Sequence, residues 1–303
     1  MDFEMLVRKK ATRSAEWVIV RPGISLCLFY AEPLASLATH IAGILEAYLS
    51  FVPPNSIQTY LATDGNWKTL SKGTLTSTLK ALRSMKRTSE FWEVHFGQEP
   101  AGNVGSYGAH FVGSNLANAV WPLETNLLLL EFPHDFLQQV RSEDFLKFVQ
   151  NVGSICPFDS GLTGYAFKHL LRTFRRETFE AISQMAMRYI GFDISYDLIR
   201  ERSRGSVYNV SWLTLLGSHL LERAGGGDAI RKSLPKGASL LDVGSGVLIR
   251  AAELPPVGDV NRGADDIEPL RALAKLTQKV RVKVENLGSH DPHFAQRWLN
   301  RFE

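Results

Sequence analysis

The sequence predicts one α+β domain, and three observations point to it. Strand-like apolar runs alternate with helical periodicity in the order strand, proline, helix, proline, strand. That order occurs twice, with Pro133 standing about a hundred residues after Pro33. A third region, from residue 226 on, adds a helix, a glycine-turn hairpin and a closing helix. The expected architecture is therefore a single domain over residues 1–303. Its mixed sheet is built from two weakly related β-α-β halves, about 17–115 and 116–225, plus the C-terminal segment 226–303. At 303 residues, 45% hydrophobic and 21% charged, the chain has the composition of a soluble globular protein that can bury a full core.

Residues 17–31 are rich in Val, Ile, Leu and Phe, and Arg21-Pro22-Gly23 divides them into two short strands around a turn, the second over 26–30. After Pro33, Leu34, Leu37, Ile41, Ile44, Leu45, Tyr48 and Leu49 share one helical face. Pro53-Pro54-Asn55 ends that helix, and 57–62 returns as a strand. A basic helix over 75–87 leads to strands at 91–97 and 107–112, joined by a Gly-rich linker. The second half repeats the order: a strand at 127–132, a helical region at 136–152 with Ser142 placed to cap its second part, and a strand at 162–167. Helices at 177–190 and 196–202 follow. Ser211 caps a helix over 212–223 that ends at Gly225-Gly226-Gly227. The last part holds a hairpin of 239–243 with 247–252, a helix around 269–276, a strand at 280–284 and a final helix opened by Asp291-Pro292.

Thirty-four Lys and Arg against 31 Asp and Glu leave a net charge of +3, too small to mark the whole protein as a nucleic-acid binder. Basic clusters at Arg8-Lys9-Lys10, 168–176 and 200–204 fit phosphate contacts or solvated helix faces, without the aromatic interleaving of a stacking surface. Cys27 and Cys156 lie far apart among apolar neighbours, the pattern of buried thiols in a reducing cytosol rather than of disulfides or zinc. The N-terminus is charged and lacks the apolar core of a secretory signal. No apolar run approaches the roughly 20 residues of a membrane span.

Catalytic signatures are sparse. The phosphate-binding G-x-x-x-x-G-K-[ST] loop, the H-E-x-x-H zinc helix and the G-x-S-x-G elbow are missing, and no Asp or Glu is followed two residues later by lysine. His290 and His293 flank Pro292 at a helix start and lack a third partner at metal spacing. Residues 240–246, Leu-Leu-Asp-Val-Gly-Ser-Gly, look like the first glycine-rich motif of class I methyltransferases. Val247-Leu248 stands where the next glycine belongs, and too little chain remains for a Rossmann-like sheet, so a hairpin turn fits better. An S-adenosylmethionine-dependent or other small-molecule enzyme using the turn at Gly244 is kept as the second reading; the first assigns no cofactor, metal or catalytic residue. The compact acidic cluster Asp265, Asp266 and Glu268 either caps the helix beginning near Pro269 or presents negative charge to a partner.

Several strings resemble a bacterial family associated with type VI secretion immunity, the TsiV-like family. They are Asn209 through Gly217 (NVSWLTLLG), Pro255 through Arg262 (PPVGDVNR), the closing RWLNRF at 297–302, LLEFP at 129–133 and SGLTGYAF at 160–167. The match spans roughly residues 17–303. It implies a non-enzymatic cytoplasmic protein that binds and silences a toxic effector, typically a VRR-type nuclease, in the cell that makes both. An inhibitor of this kind needs a complementary surface of about 800 Å² per partner rather than a nucleophile. Because a nuclease cleft is basic, Asp265, Asp266 and Glu268 are the residues expected at such a contact. Neither a membrane nor nucleic acid is an expected partner.

Overall fold

The structure is a computed structural model and describes residues 3–11, 16–99, 103–169, 176–194, 197–283 and 293–303. Its frame is one sheet. The strands are β1 (Arg8–Ala11), β2 (Glu16–Tyr30), β3 (Thr59–Leu61), β4 (Trp67–Thr69), β5 (Phe91–Gly97), β6 (Gly108–Ser114), β7 (Asn126–Pro133), β8 (Ser160–His169), β9 (Leu213–Leu216), β10 (Ser239–Val243) and β11 (Gly246–Arg250). They lie in the order β10-β11-β9-β8-β2-β7-β6-β5-β3-β4, with β1 against the N-terminal part of β2. The helices are α1 (Leu34–Phe51), α2 (Lys72–Arg83), α3 (Phe136–Gln139), α4 (Ser142–Ile155), α5 (Arg176–Arg188), α6 (Asp197–Arg200), α7 (Ser218–Arg223), α8 (Gly227–Ser233), α9 (Glu268–Thr277) and α10 (Phe294–Leu299).

Both faces of the sheet are covered, which explains the unbroken apolar runs of β2 and β7. Ile24, Leu26, Leu28 and Tyr30 of β2, with Leu128, Leu130 and Phe132 of β7, face α1, α2 and α4. Cys27, Phe29, Leu127 and Leu129 point the other way, into a second core closed by Phe179 and Ile182 of α5 and Phe294 and Trp298 of α10. Leu270 and Leu273 of α9 and Leu220 of α7 form a third cluster over β9 and β11. By length and composition α1 could cross a membrane. Its Leu37, Ile41, Ile44 and Tyr48 are fully buried in the first core, and the Tyr48 hydroxyl donates to the Glu131 carbonyl at 2.8 Å, so it serves as the central core helix.

The α+β class holds, but the sheet is antiparallel in every ladder rather than mixed. The reason lies in the crossovers. β7 and β8 both pair antiparallel with β2, so they run parallel to each other with β2 inserted between them. β3 likewise runs parallel to β2, but β7, β6 and β5 intervene. Helices α1 and α4 pack on the same face and touch each other. The two strand-helix-strand passages therefore interleave around a shared β2–β7 centre, one spanning three strands and the other one.

Other local expectations change. Residues 16–30 form a single strand, with Pro22-Gly23 inside it. The Phe167 amide donates to the Asp193 carbonyl at 3.0 Å, away from β2, so the Pro22–Phe167 pair is not a hydrogen-bonded one. The nitrogen of Pro22 thus faces the opposite edge, where pairing with β1 stops at Val20 and pairing with β7 starts at Gly23; the missing donor interrupts no ladder. Residues 213–216 form β9 rather than the start of a helix, and Gly217, not Ser211, precedes α7. Ser142 is the first residue of α4, behind an Arg141 N-cap. Val280 accepts from the Val207 amide and Val282 donates to the Val207 carbonyl, both at 2.8 Å, and residues 280–283 form no strand. Asp291-Pro292, His290 and residue 284 lie outside the described residues.

Candidate interaction surface

The glycine turn folds as a hairpin. Val243 pairs with Gly246, and Gly244 between them has φ +56°. In a methyltransferase cradle the strand would run on into a helix; here the chain doubles back as β11, whose other edge pairs with β9. A Cβ on Gly246 would lie 2.3 Å from the Leu216 carbonyl oxygen, so this glycine permits close approach of backbone to backbone and opens no ligand cradle. Asp242, the acidic residue of the motif, is exposed opposite Val247.

The acidic cluster divides. The carboxylate of Asp266 accepts the backbone N–H of Val257 at 2.6 Å and of Gly258 at 3.0 Å, pinning the turn after Pro255-Pro256. Glu268, in the first turn of α9, pairs with Arg271 at 2.6 Å and remains on the surface. The side chain of Asp265 lies outside the described residues.

A row of buried polar groups crosses the second face near the β2–β8 end. Lys168 is buried; its ammonium donates to the Gly105 carbonyl at 2.9 Å and to that of Ser106, and burial pulls its pKa from 10.5 to about 8, with Glu131 opposing the shift and Arg21 adding to it. Three strands over, on β6, His110 Nε2 meets Glu93 at 2.9 Å, and His95 bridges His110 and Trp67 by ring contact. The adjoining cavity, lined by Trp67, His95, Glu131 and His169, offers about 20 Å³, space for a water molecule and not for a substrate. Among the described residues no group of His, Cys, Asp or Glu has the arrangement of a metal site.

The basic clusters are largely taken up by the protein. Lys9 pairs with Glu16 at 2.9 Å and Lys10 with Glu177. Residues 170–175 lie outside the described residues. In 200–204, Arg200 forms an ion pair with buried Glu124, and Arg204 Nε donates to the Glu124 carbonyl at 2.9 Å. These two arginines clamp the loop between β6 and β7. Its tip carries Val120, Trp121 and Leu123 in solvent, 82%, 44% and 52% exposed. That surface did not figure among the expected contacts, although its signal is in the sequence: Ala119-Val120-Trp121-Pro122-Leu123 is apolar without strand or helix periodicity.

A sheet enclosed on both sides, with an apolar loop crest turned outward, defines an α+β scaffold. The chain belongs to the TsiV family, described as type VI immunity for VRR-NUC, whose model matches residues 40–302. The Pseudomonas aeruginosa T6SS protein PA0821 is similar in structure, with a TM-score of 0.78 at 20% identity, over 99% of this chain and 88% of that one. No protein in the curated set matches.

Proposed function

We propose that this protein binds a VRR-type nuclease effector of a type VI secretion system and neutralises it by stoichiometric, non-enzymatic complex formation in the cytoplasm. The family match over residues 40–302 carries the proposal. The hairpin geometry at Gly244 supports it by removing the ground for a cofactor cradle at that turn. Inhibition by occlusion requires only a fitted surface of about 800 Å² per partner.

The test is titration of a VRR-type nuclease effector from the same genome with this protein. Cleavage of DNA should fall linearly with added protein and end at one equivalent, and nuclease recovered from the complex by denaturation and refolding should regain full activity. A catalytic dose response, covalent change in the nuclease, or absence of a complex at micromolar concentrations overturns the reading. Fractionation of producing cells checks the compartment.

A further inference from the structure

Single exposed apolar side chains are ordinary on a protein surface, but a run of them on one loop is not. Val120, Trp121, Pro122 and Leu123 are consecutive and all exposed. Phe91, 51% exposed, lies at the same end of the sheet: it pairs with Ser114, and the Asn115 amide donates to the Glu90 carbonyl at 2.8 Å.

The loop is also held from behind by an unusual density of polar contacts. The buried Glu124 carboxylate takes the Arg200 guanidinium and, at 3.0 Å, the Ser114 hydroxyl. The Arg204 amide donates to the Leu123 carbonyl at 3.0 Å, the Thr125 amide to the Arg200 carbonyl at 2.8 Å, and the hydroxyls of Thr125 and Ser203 meet at 2.8 Å. This clamp fixes the loop while leaving its apolar tip in water, so little ordering remains to oppose association. Trp, with two rotatable side-chain bonds and a large apolar area, is the residue type that dominates interface energetics.

We propose that this crest, Phe91 with Val120, Trp121 and Leu123, is the surface that seats on the nuclease effector, an inference that rests on the function proposed above. The occupant is the partner class that the family description gives, a VRR-type nuclease, since the family model spans residues 40–302 and so includes the whole crest. Arg200 and Arg204 are turned inward to Glu124, and the exposed side chains of the neighbouring segments, Glu32, Glu90, Lys86, Arg87 and Arg202, carry both signs of charge, so the apolar crest rather than net charge is what is offered to that partner.

The experiment is calorimetric titration of the full chain with a catalytically inactive form of the VRR-type effector from the same genome, using wild type, Trp121→Ala and the triple variant Val120→Ser/Trp121→Ala/Leu123→Ser. Trp121→Ala should weaken binding by about 30-fold or more and the triple variant further, with thermal melting unchanged. Hydrogen exchange of the wild-type complex gives an independent readout, since amides 116–124 should slow on effector binding. A well-folded triple variant that binds like wild type, or no added protection at 116–124, sinks the crest assignment while leaving the immunity function intact. Wild-type protein that forms no complex sinks the function itself. A wild-type dimer that the triple variant splits, with effector affinity unchanged, reassigns the crest to self-association and overturns the inference.

Discussion

Arg301, two residues before the last, reaches Asp193 at 2.8 Å with both side chains 99% buried. Its guanidinium also donates to the Ile190 carbonyl at 2.7 Å and stacks over Trp298 at 3.8 Å, so Trp298, Leu299, Arg301 and Phe302 of the string RWLNRF plug the core while Arg297 and Asn300 stay exposed. Removing one member of such a pair leaves the other charged and buried, which costs about 3–5 kcal/mol. Arg301→Ala and Asp193→Ala should each lower unfolding free energy by that amount in denaturant titrations. Arg301→Lys, which keeps the charge but loses the planar fork, should fall between them and wild type. Equal stability of Arg301→Ala and wild type would contradict the arrangement.

Gly244 sits at φ +56°, and a Cβ there would lie 3.2 Å from the Gly153 carbonyl oxygen. Gly244→Ala should therefore destabilise by about 1–2 kcal/mol, and Gly244→Asn by less, because Asn tolerates the left-handed region. Neither variant should alter any interaction with S-adenosylmethionine, since the turn is a hairpin. Saturable micromolar binding of that cofactor to the wild type in a calorimeter is the result that would restore the enzyme reading.

Much of the fold was legible because its signals are local. Pro33 and Pro133 mark the ends of β2 and β7, the periodicity after them places α1 and α4, and Gly244-Ser245-Gly246 names its own hairpin. Pairing partners decided the rest. Pro22-Gly23 carries a turn signature, yet it lies within a strand because the proline nitrogen falls in a gap between two neighbours and because Gly23 gives Lys168 room: a Cβ there would meet the Lys168 side chain at 2.4 Å. Leu213-Thr214-Leu215-Leu216 has no period that separates a doubly buried strand from a helix. Much of the strings that carried the family resemblance is architecture: Asn209, Trp212 and Arg301 are buried, and Gly217 lies so close to its neighbour that a Cβ would meet the Phe158 carbonyl at 2.2 Å, whereas Val260, Asn261 and Arg262 are exposed. Asp266, read as a surface charge, is occupied by two backbone amides that only the folded turn brings to it.

Lys168 gives the protein a pH signature. Unfolded, the lysine titrates near 10.5; folded, near 8, because burial disfavours the ammonium. Between those values the unfolded chain binds more protons, so this group makes stability rise with pH from about 8 to about 10.5 and imposes its full penalty below 8. The gain is roughly 3 kcal/mol at most. Unfolding free energies measured from pH 7 to 10.5 should show the increment in wild type and not in Lys168→Met; the difference between the two curves isolates it from other groups that titrate there. Parallel curves would rule it out.

Cys156 should be inert in the native state. Burial, with a smaller push from Glu32, raises its thiol to about 11, so almost no thiolate exists at neutral pH. Labelling by a disulfide reagent at pH 7.5 should be slow and should accelerate in step with global unfolding as denaturant is added. Rapid labelling of Cys156 in the folded protein would mean that a local opening exposes the segment between α4 and β8.

The clamp behind the crest makes a separate claim, that residues remote from an interface set its affinity. Arg200→Ala leaves the Glu124 carboxylate buried with the Ser114 hydroxyl at 3.0 Å as its remaining side-chain partner, which should cost about 2–4 kcal/mol of stability. The loss should concentrate locally: amide exchange at 116–124 should quicken more than in the β2–β7 centre of the sheet. Effector affinity should fall as well, although the guanidinium faces inward, because a loosened loop must be ordered again on binding. Arg200→Lys should recover part of both effects by restoring the charge without the planar fork. If Arg200→Ala frees the loop by hydrogen exchange and the effector still binds with wild-type affinity, the rigidity of the crest contributes nothing to recognition.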